Sequence, residues 1–481
     1  MKFQKLLYLL TFLSIVVMAT RVSVASDTFW HLRAGDWIVE HGQILREDPF
    51  SLTRFGETWR YPGWLAQVLM ISSYRLLGFP GLNIFTTVFV LIGLAFTWRA
   101  MKGSDFARVT VLLLAAITSA VYWSARPHIM TFALTGLVLY VLEDYRNRER
   151  NRLWILPLGM ALWGNLHGGF AAGFILILLY LVGEILEAGI EIIKARMNLG
   201  EALRSHQRAT VNYAGFGLLS AIALSINPHG PRMILYPFTT IGIESLRDYI
   251  QEWQSPNFHE PQVYPFLFSL LLLLLVFAAT KKRVAAHEYL ATATFLVLAL
   301  TAGRNIALYA LVVSPVLSRH LSSSLEPLAV RFQNRDEFDP TLAGRLNLAL
   351  LFLCLFPALI KISYPLNPEV NREALGEQFP YGAVEFIKST EPEGPMFNSY
   401  NWGAFIIWEL YPEYRSFVDG RTDLFNDEIL LAYLSAWRGE SGWEEFLDQW
   451  GIKIVFVEPE APLRHKLLQS GWMSIYEDEQ A

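Results

Sequence analysis

The chain has 481 residues, 53% hydrophobic and 17% charged, with a formal net charge of −5 and one cysteine. Soluble domains carry about 25% charged residues, so much of this surface is built to face something other than water. The lone Cys354 excludes an intrachain disulfide and any Cys-cluster metal site.

The chain opens on a short apolar run, Leu6 to Thr20, flanked by Lys2 and Lys5. It reads as a first membrane helix or as a cleaved signal peptide. Further apolar runs cover 81–98, 109–123, 128–142, 169–186, 209–226, 264–280, 288–302, 305–318 and 345–363, with a shorter one at 153–164. Most approach the roughly 20 residues that cross a bilayer. Short loops rich in Lys and Arg stay in the cytoplasm. Such loops hold Arg99, Lys102 and Arg108; Arg146, Arg148, Arg150 and Arg152; Lys194, Arg196, Arg204 and Arg208; Lys281 to Arg283; and Arg319, Arg331, Arg335 and Arg345. Their alternation predicts about eleven spans, N-terminus in and C-terminus out. Cleavage of the first segment would leave ten with the same sidedness. The fold class expected for residues 1–363 is mainly α, a polytopic transmembrane helix bundle in the inner or plasma membrane.

The composition changes after Tyr364. Residues 364–481 hold 21 acidic and 8 basic side chains, and no run long enough to span. This tail is expected to be a small extracytoplasmic α/β domain. FIIWEL and KIVFV read as buried strand or helix cores, and WEEFLDQW and APLRHKLLQS as helices. Its acidity argues against nucleic acid or an anionic lipid surface as partner.

The remaining loops face outward: 21–80, 124–128, 165–168, 227–263 and 303–304. They hold Asp27, His31, Arg33 and Asp36; Arg126 and His128 in SARPH; Asn165 and His167 in GNLHGG; Asn227, His229 and Arg232 in NPHGPR; and Arg304 and Asn305 in AGRN. Polar clusters look sparse at the inner helix ends. Helix-end polarity and snorkelling account for single residues. They account less well for His and Asn repeated at Gly- or Pro-bounded turns, which point to one outward cavity. These loops hold no Lys, but Arg33, Arg46, Arg54, Arg60, Arg126, Arg232, Arg247 and Arg304. Arg forks onto phosphate and keeps its charge when desolvated, although the whole chain prefers Arg. Asp27 has two readings, an N-cap for a helix starting at Thr28 or a site carboxylate. If 26–37 is helical, Asp27 and His31 share a face and Asp36 lies opposite.

The segment DTFWHLR, with Asp27, His31 and Arg33, resembles the first-loop motif of oligosaccharyltransferase catalytic subunits. These belong to the C-type glycosyltransferase superfamily with the O-mannosyltransferases and lipid A aminoarabinose transferases. DPFSLTRFGETWRYPGWLAQ, with Asp48, resembles the continuation of that loop. SYNWGAFIIWELYPEYRSFVDGRTD, with Trp402, Asp419 and Arg421, loosely resembles their acceptor-binding region. The family's Trp-Trp-Asp-Tyr-Gly motif is absent, because this chain reads Tyr400, Asn401, Trp402, Gly403. Thr28 follows Asp27 where the mannosyltransferases have paired Asp-Glu. The whole pattern is also similar to uncharacterised bacterial membrane proteins that pair a DTFWHL loop with a WG…DGR tail.

The resemblance implies a membrane glycosyltransferase that uses a polyprenyl-phosphate-linked sugar at the extracytoplasmic face, on a glycan, lipid or protein acceptor. Such chemistry needs a base, stabilisation of the leaving phosphate and exclusion of water. Asp27 is the candidate base or metal ligand, with His31 beside it. Asp36 or Asp48 could share a divalent cation, Mg or Mn, with Asp27. Arg126, Arg232 and Arg304 are candidates for the phosphate. His31, His128, His167 and His229 could bind sugar hydroxyls or metal, and Arg33, Asn165, Asn227, Asn305 and Trp402 complete the expected substrate-binding set. Asp419 and Arg421 read as a β-turn or as an acceptor or headgroup contact. A transporter or flippase of a lipid-linked or polar substrate, and a non-catalytic envelope-assembly partner, remain alternatives.

Overall fold

The computed structural model describes residues 2–481 apart from 24, 148–149, 195–198, 244–248 and 333–338. Arg148, Arg196, Arg247 and Arg335, and the side chain of Arg331, lie outside the described residues.

Each expected apolar run is helical. In chain order the helices are α1 (Phe3–Ala19), α2 (Asp27–His41), α3 (Trp64–Leu77), α4 (Phe79–Ala100), α5 (Asp105–Ser119), α6 (His128–Arg146), α7 (Ile155–Trp163), α8 (Ala171–Ile193), α9 (Leu199–Leu224), α10 (Tyr236–Ile241), α11 (Tyr264–Ala279), α12 (Ala286–Thr301), α13 (Ile306–Phe332) and α14 (Pro340–Ser363). Among the described residues six helical segments are long and apolar enough to cross a membrane, and α1 and α12 are shorter apolar helices. The protein is a mainly α, multi-pass membrane bundle. The nine-residue α7 rises only about 13 Å, well short of a hydrocarbon core of about 30 Å, so the 153–164 run does not cross by itself.

Packing sorts the helices by depth. α4 and α6 meet at small residues: a Cβ on Gly136 would lie 2.5 Å from the Gly93 carbonyl oxygen. Such close backbone approach is how helices associate where hydrophobic burial supplies no drive. α14 instead packs on α1 and leaves Leu346, Phe352, Leu353 and Phe356 exposed, an apolar face suited to lipid.

The long first loop contains an unexpected element, α3, which packs against α2. The tail adds α15 (Pro368–Gly376), α16 (Tyr381–Thr390), β1 (Met396–Asn398), α17 (Gly403–Leu410), α18 (Thr422–Trp437), α19 (Trp443–Gln449), β2 (Ile454–Phe456) and α20 (Pro462–Gln469). β1 and β2 pair in parallel, Phe397 opposite Val455. FIIWEL is therefore the helix α17, and KIVFV supplies β2.

A second apolar core fills this region, separate from that of the bundle, and the tail does not build it alone. Phe29, Trp30, Phe50 and Trp59 of the first loop are buried in it with Phe397, Phe405, Phe417 and Leu463. The Phe29 ring meets those of Phe379 and Phe405 at 4.9 and 5.2 Å. Backbone bonds join the two segments: Leu52 N–H donates to Ser416 O at 2.7 Å, and Ser416 N–H to Phe50 O at 3.2 Å. The tail is thereby clamped over the start of α2.

At the opposite end of the bundle the expectation of sparse polar groups is corrected. His206 bonds Glu184 (2.7 Å) and Glu191 (3.1 Å), Arg283 pairs with Glu187 (2.6 Å), and Arg319 with Glu288 (2.8 Å). Their partners are far apart in the sequence: three glutamates of α8 meet His206 of α9 and Arg283 of the loop before α12, and Glu288 of α12 meets Arg319 of α13, so only packing assembles them.

Candidate functional site

Asp27 is the first residue of α2. Its N-cap is Ser26, and no side chain caps the helix. The Asp27 carboxylate turns instead to Arg126 of the second outer-type loop, Oδ2 to Nη2 3.1 Å. Arg126 bridges onward to Glu252, Nη1 to Oε2 3.3 Å and Nη2 to Oε1 3.4 Å. Glu252 then faces Arg304, Nη1 to Oε1 3.6 Å. The Arg304 guanidinium stacks over the Trp253 ring at 4.3 Å. Four loops distant in sequence thus contribute one chain of alternating charge, Asp27–Arg126–Glu252–Arg304. These side chains keep 19–27% of their exposure, so solvent reaches a row of charges that protein otherwise encloses.

The electrostatics follow from that enclosure. Burial raises the Asp27 pKa, and Arg126 pulls it only partly back. Burial also acts on Glu252, but there Arg126 and Arg304 outweigh it and hold the carboxyl well below its usual range. Burial works against the charge on Arg126, yet Glu252 and Asp27 together raise its pKa. His31 is buried, and burial with the nearby charge of Arg126 pushes its pKa well down, so its ring is neutral at pH 7. Its Nδ1 has no hydrogen-bond partner among the described residues. His167 and His128 are also close enough to act on it.

The last two histidines have assignable tautomers. His128 Nε2 lies 2.7 Å from the Tyr122 carbonyl, which can only accept. Nε2 therefore carries the proton, and the buried Nδ1 lone pair is left without a partner among the described residues. His167 Nδ1 accepts the Gly169 N–H at 3.1 Å. The Trp163 indole donates to Thr131 Oγ1, which lies 2.8 Å from the same Nδ1, so the His167 proton is on Nε2.

The tail closes one side of this row. A Cβ on Gly420 would lie 2.9 Å from Asp27 Cγ and still nearer to its Oδ1. Glycine is needed there for close approach, and Gly303, against the Tyr122 hydroxyl, meets a similar demand. Three residues past Gly420, Asp423 accepts from the Tyr236 hydroxyl at 3.3 Å.

The structure brings together Asp27, His31, Arg126, His128, His167 and Arg304 from the expected set, and places the others apart from the row. Arg33 turns to Asp36 at 3.1 Å and stacks 5.0 Å from Tyr411, while Asp36 also pairs with Arg75 at 2.7 Å. Asp48 is fully buried and takes bonds from the Phe50 and Ser51 amides, the Ser51 hydroxyl and Arg421. Arg421 pairs at once with Asp419 (2.7 Å) and Asp48, with no exposure of its side chain. Asp419 and Arg421 therefore form a buried ion triad with Asp48 that pins the turn. Trp402 packs in the second core 5.2 Å from Phe456. Asn165 braces loops, accepting from Trp64 Nε1 and donating to Ile226 O. Asn227 holds its own turn through Leu224 O and Gly230 O, and Asn305 bonds Leu298 O. His229 faces the Tyr61 carbonyl at 3.4 Å, and Arg232 is exposed.

The residues do not fit a divalent cation shared by Asp27 with Asp36 or Asp48, since Arg33, Arg75 and Arg421 hold the other two carboxylates. Among the described residues no three His, Cys, Asp or Glu gather as a metal site.

Sequence reasoning missed Glu252, Asp423, Tyr61, Tyr236 and Trp253. Glu252 stood in the long fourth loop as one acidic residue among several, with no pattern to mark it. A recess of about 220 Å³ also lies in the tail, between Phe386, Ile454, Phe456, Leu467 and Trp472. Its lining is largely apolar, and none of the residues of the charged row lines it.

The chain shares its overall fold with solved structures of membrane proteins. The oligosaccharyltransferase of Archaeoglobus fulgidus, tethered to an acceptor peptide, aligns over 93% of this chain and 68% of its own, with a TM-score of 0.55 and 12% identity. Its apo form aligns over 93% and 69%, with a TM-score of 0.52 and 12% identity. ArnT from Cupriavidus metallidurans, bound to undecaprenyl phosphate, covers 98% of this chain and 95% of its own at a TM-score of 0.47 and 13% identity. No family model and no curated protein matches the sequence.

Proposed function

We propose that the protein transfers a sugar from a polyprenyl-phosphate-linked donor, at the extracytoplasmic face of the membrane, to a glycan, lipid or protein acceptor. The topology that goes with this reading is N-terminus in and C-terminus out, with residues 364–481 outside. The observation that carries it is the row Asp27–Arg126–Glu252–Arg304, built from four loops at one end of the bundle and closed by the tail. In this reading Arg126 and Arg304 receive the phosphate. Both are now balanced by carboxylates, so an entering phosphate competes with Asp27 and Glu252 for their donors. Arg126 keeps its charge in the site, where fixed positive charge stabilises a leaving phosphate far better than in water. Asp27, released from Arg126, opposes the positive charge that develops on the sugar. Neutral His31, His128 and His167 offer hydrogen bonds to sugar hydroxyls.

A flippase reading has one observation in its favour, the polar network at the opposite end. Those groups are paired with one another, which suits a brace better than a path.

The test compares cell-envelope glycans by mass spectrometry in cells with the wild-type protein, without it, and with Asp27→Asn. The expected result is a glycan signal lost on deletion and lost in Asp27→Asn, while the variant protein accumulates normally. Full transfer by Asp27→Asn would end the assignment of this site.

A further inference from the structure

Glycosyl transfer needs a group that takes the acceptor proton. Asp27, which lies 3.1 Å from Arg126, is given above to the positive charge that develops on the sugar, and one carboxylate does not serve both roles at once. Glu252, between two guanidiniums, is a weak base, because protonation must first cost it those pairs. A third carboxylate stands near this row. Asp423, at the start of α18, makes no ion pair among the described residues. Arg421, two residues before it, is saturated by Asp419 and Asp48. Asp423 has one side-chain partner, the Tyr236 hydroxyl at 3.3 Å, and it is partly exposed. It belongs to the same neighbourhood as the charged row, because the Tyr61 phenol is acted on by Asp423, Arg126, Asp27 and Arg304 together. It also lies on the tail side, three residues past the Gly420 backbone that abuts Asp27.

We propose that Asp423, supplied by the C-terminal domain, is the base that takes the proton from a hydroxyl-bearing acceptor, so that donor and acceptor groups come from different parts of the chain. This rests on the glycosyl-transfer reading above. In the step, the acceptor oxygen forms a bond to the anomeric carbon as the carbon–oxygen bond to phosphate breaks. The bonding electrons leave with the polyprenyl phosphate toward Arg126 and Arg304, and the acceptor proton moves to an Asp423 oxygen. Tyr236 donates to the carboxylate and holds its orientation. The groups that face Asp423 are Tyr236 and Tyr61 from the loops and Arg421 and Asp419 from its own turn. Burial outweighs the Tyr236 bond and raises the Asp423 pKa to about 6, near the pH at which a base works best.

The experiment uses the full-length protein in two assays. Native mass spectrometry of the purified protein with undecaprenyl phosphate reads donor-phosphate binding. Membrane vesicles carrying their native donor and acceptor, buffered between about pH 5 and pH 8, read the glycan signal that deletion removes. Asp423→Asn, an isosteric change, is expected to bind undecaprenyl phosphate as wild type does and to lose transfer by about 10²- to 10⁴-fold. Wild-type transfer should fall as pH drops through about 6, because the base is then protonated. Tyr236→Phe removes the bond that favours the charged carboxylate, so its acidic limb should move to higher pH. A merely structural role for either residue would leave that limb in place. Transfer by Asp423→Asn within about threefold of wild type overturns the proposal but leaves the function standing, provided Asp27→Asn is inactive. Wild type that neither binds undecaprenyl phosphate nor alters the glycans overturns both.

Discussion

Gly420→Ala places a methyl group where the Asp27 carboxylate lies. The new Cβ would sit 2.9 Å from Asp27 Cγ and overlap Oδ1, whereas carbon pairs rest about 3.5–4.0 Å apart. One side must retreat by about 1 Å or more. The backbone of the turn is held on both flanks by the buried Asp419–Arg421–Asp48 triad, so the flexible Asp27 side chain is the part that moves. Its 3.1 Å bond to Arg126 is then lost or badly bent. A displacement of this size at a reacting group costs about 100-fold in rate, while a clash with the far end of one side chain costs folding only about 1 kcal/mol. The assay pairs the envelope-glycan signal with thermal unfolding of the detergent-purified protein. Near-normal unfolding with transfer down about 100-fold is expected. Wild-type transfer, or a loss of stability above about 3 kcal/mol, would refute the argument that Asp27 yields and the turn does not.

Asp48→Asn leaves the buried Arg421 with Asp419 alone and is expected to cost about 3 kcal/mol of stability, read by denaturant or thermal unfolding; a change below about 1 kcal/mol would show that the triad does not pin the turn. Residues 364–481 expressed alone should lack fixed tertiary packing, because Phe29, Trp30, Phe50 and Trp59 fill their core from the first loop. A dispersed amide NMR spectrum from that fragment would contradict this, and joining residues 21–63 to it should restore order.

The stretch SDTFWHLRAGDW shows where sequence reading reaches and where it stops. Its helical spacing separated Asp27 and His31 from Asp36, and that division holds. Arg33, grouped with the first pair, went with Asp36, because an i,i+3 salt bridge and the Tyr411 ring were both within its reach. The choice between cap and site for Asp27 depended on Arg126, 99 positions away, and local sequence carries no information about that distance. The same holds for DGRTD. A turn was legible, but the partner that buries Arg421 is Asp48, and nothing in the sequence couples positions 373 apart.

The sequence by itself determined the apolar helices, the acidic tail and the gathering of charged loops at one end. These follow from hydropathy and charge, which act locally and at fixed periods. Tertiary structure alone decided which loop charges meet, that Glu252 and Asp423 join them, and that the first loop and the tail share one core. Such choices are made by steric fit and by Coulombic pairing in a low-dielectric interior. Gly420 against Asp27 is the clearest instance, a contact that exists only because the folded chain has no room there for a side chain.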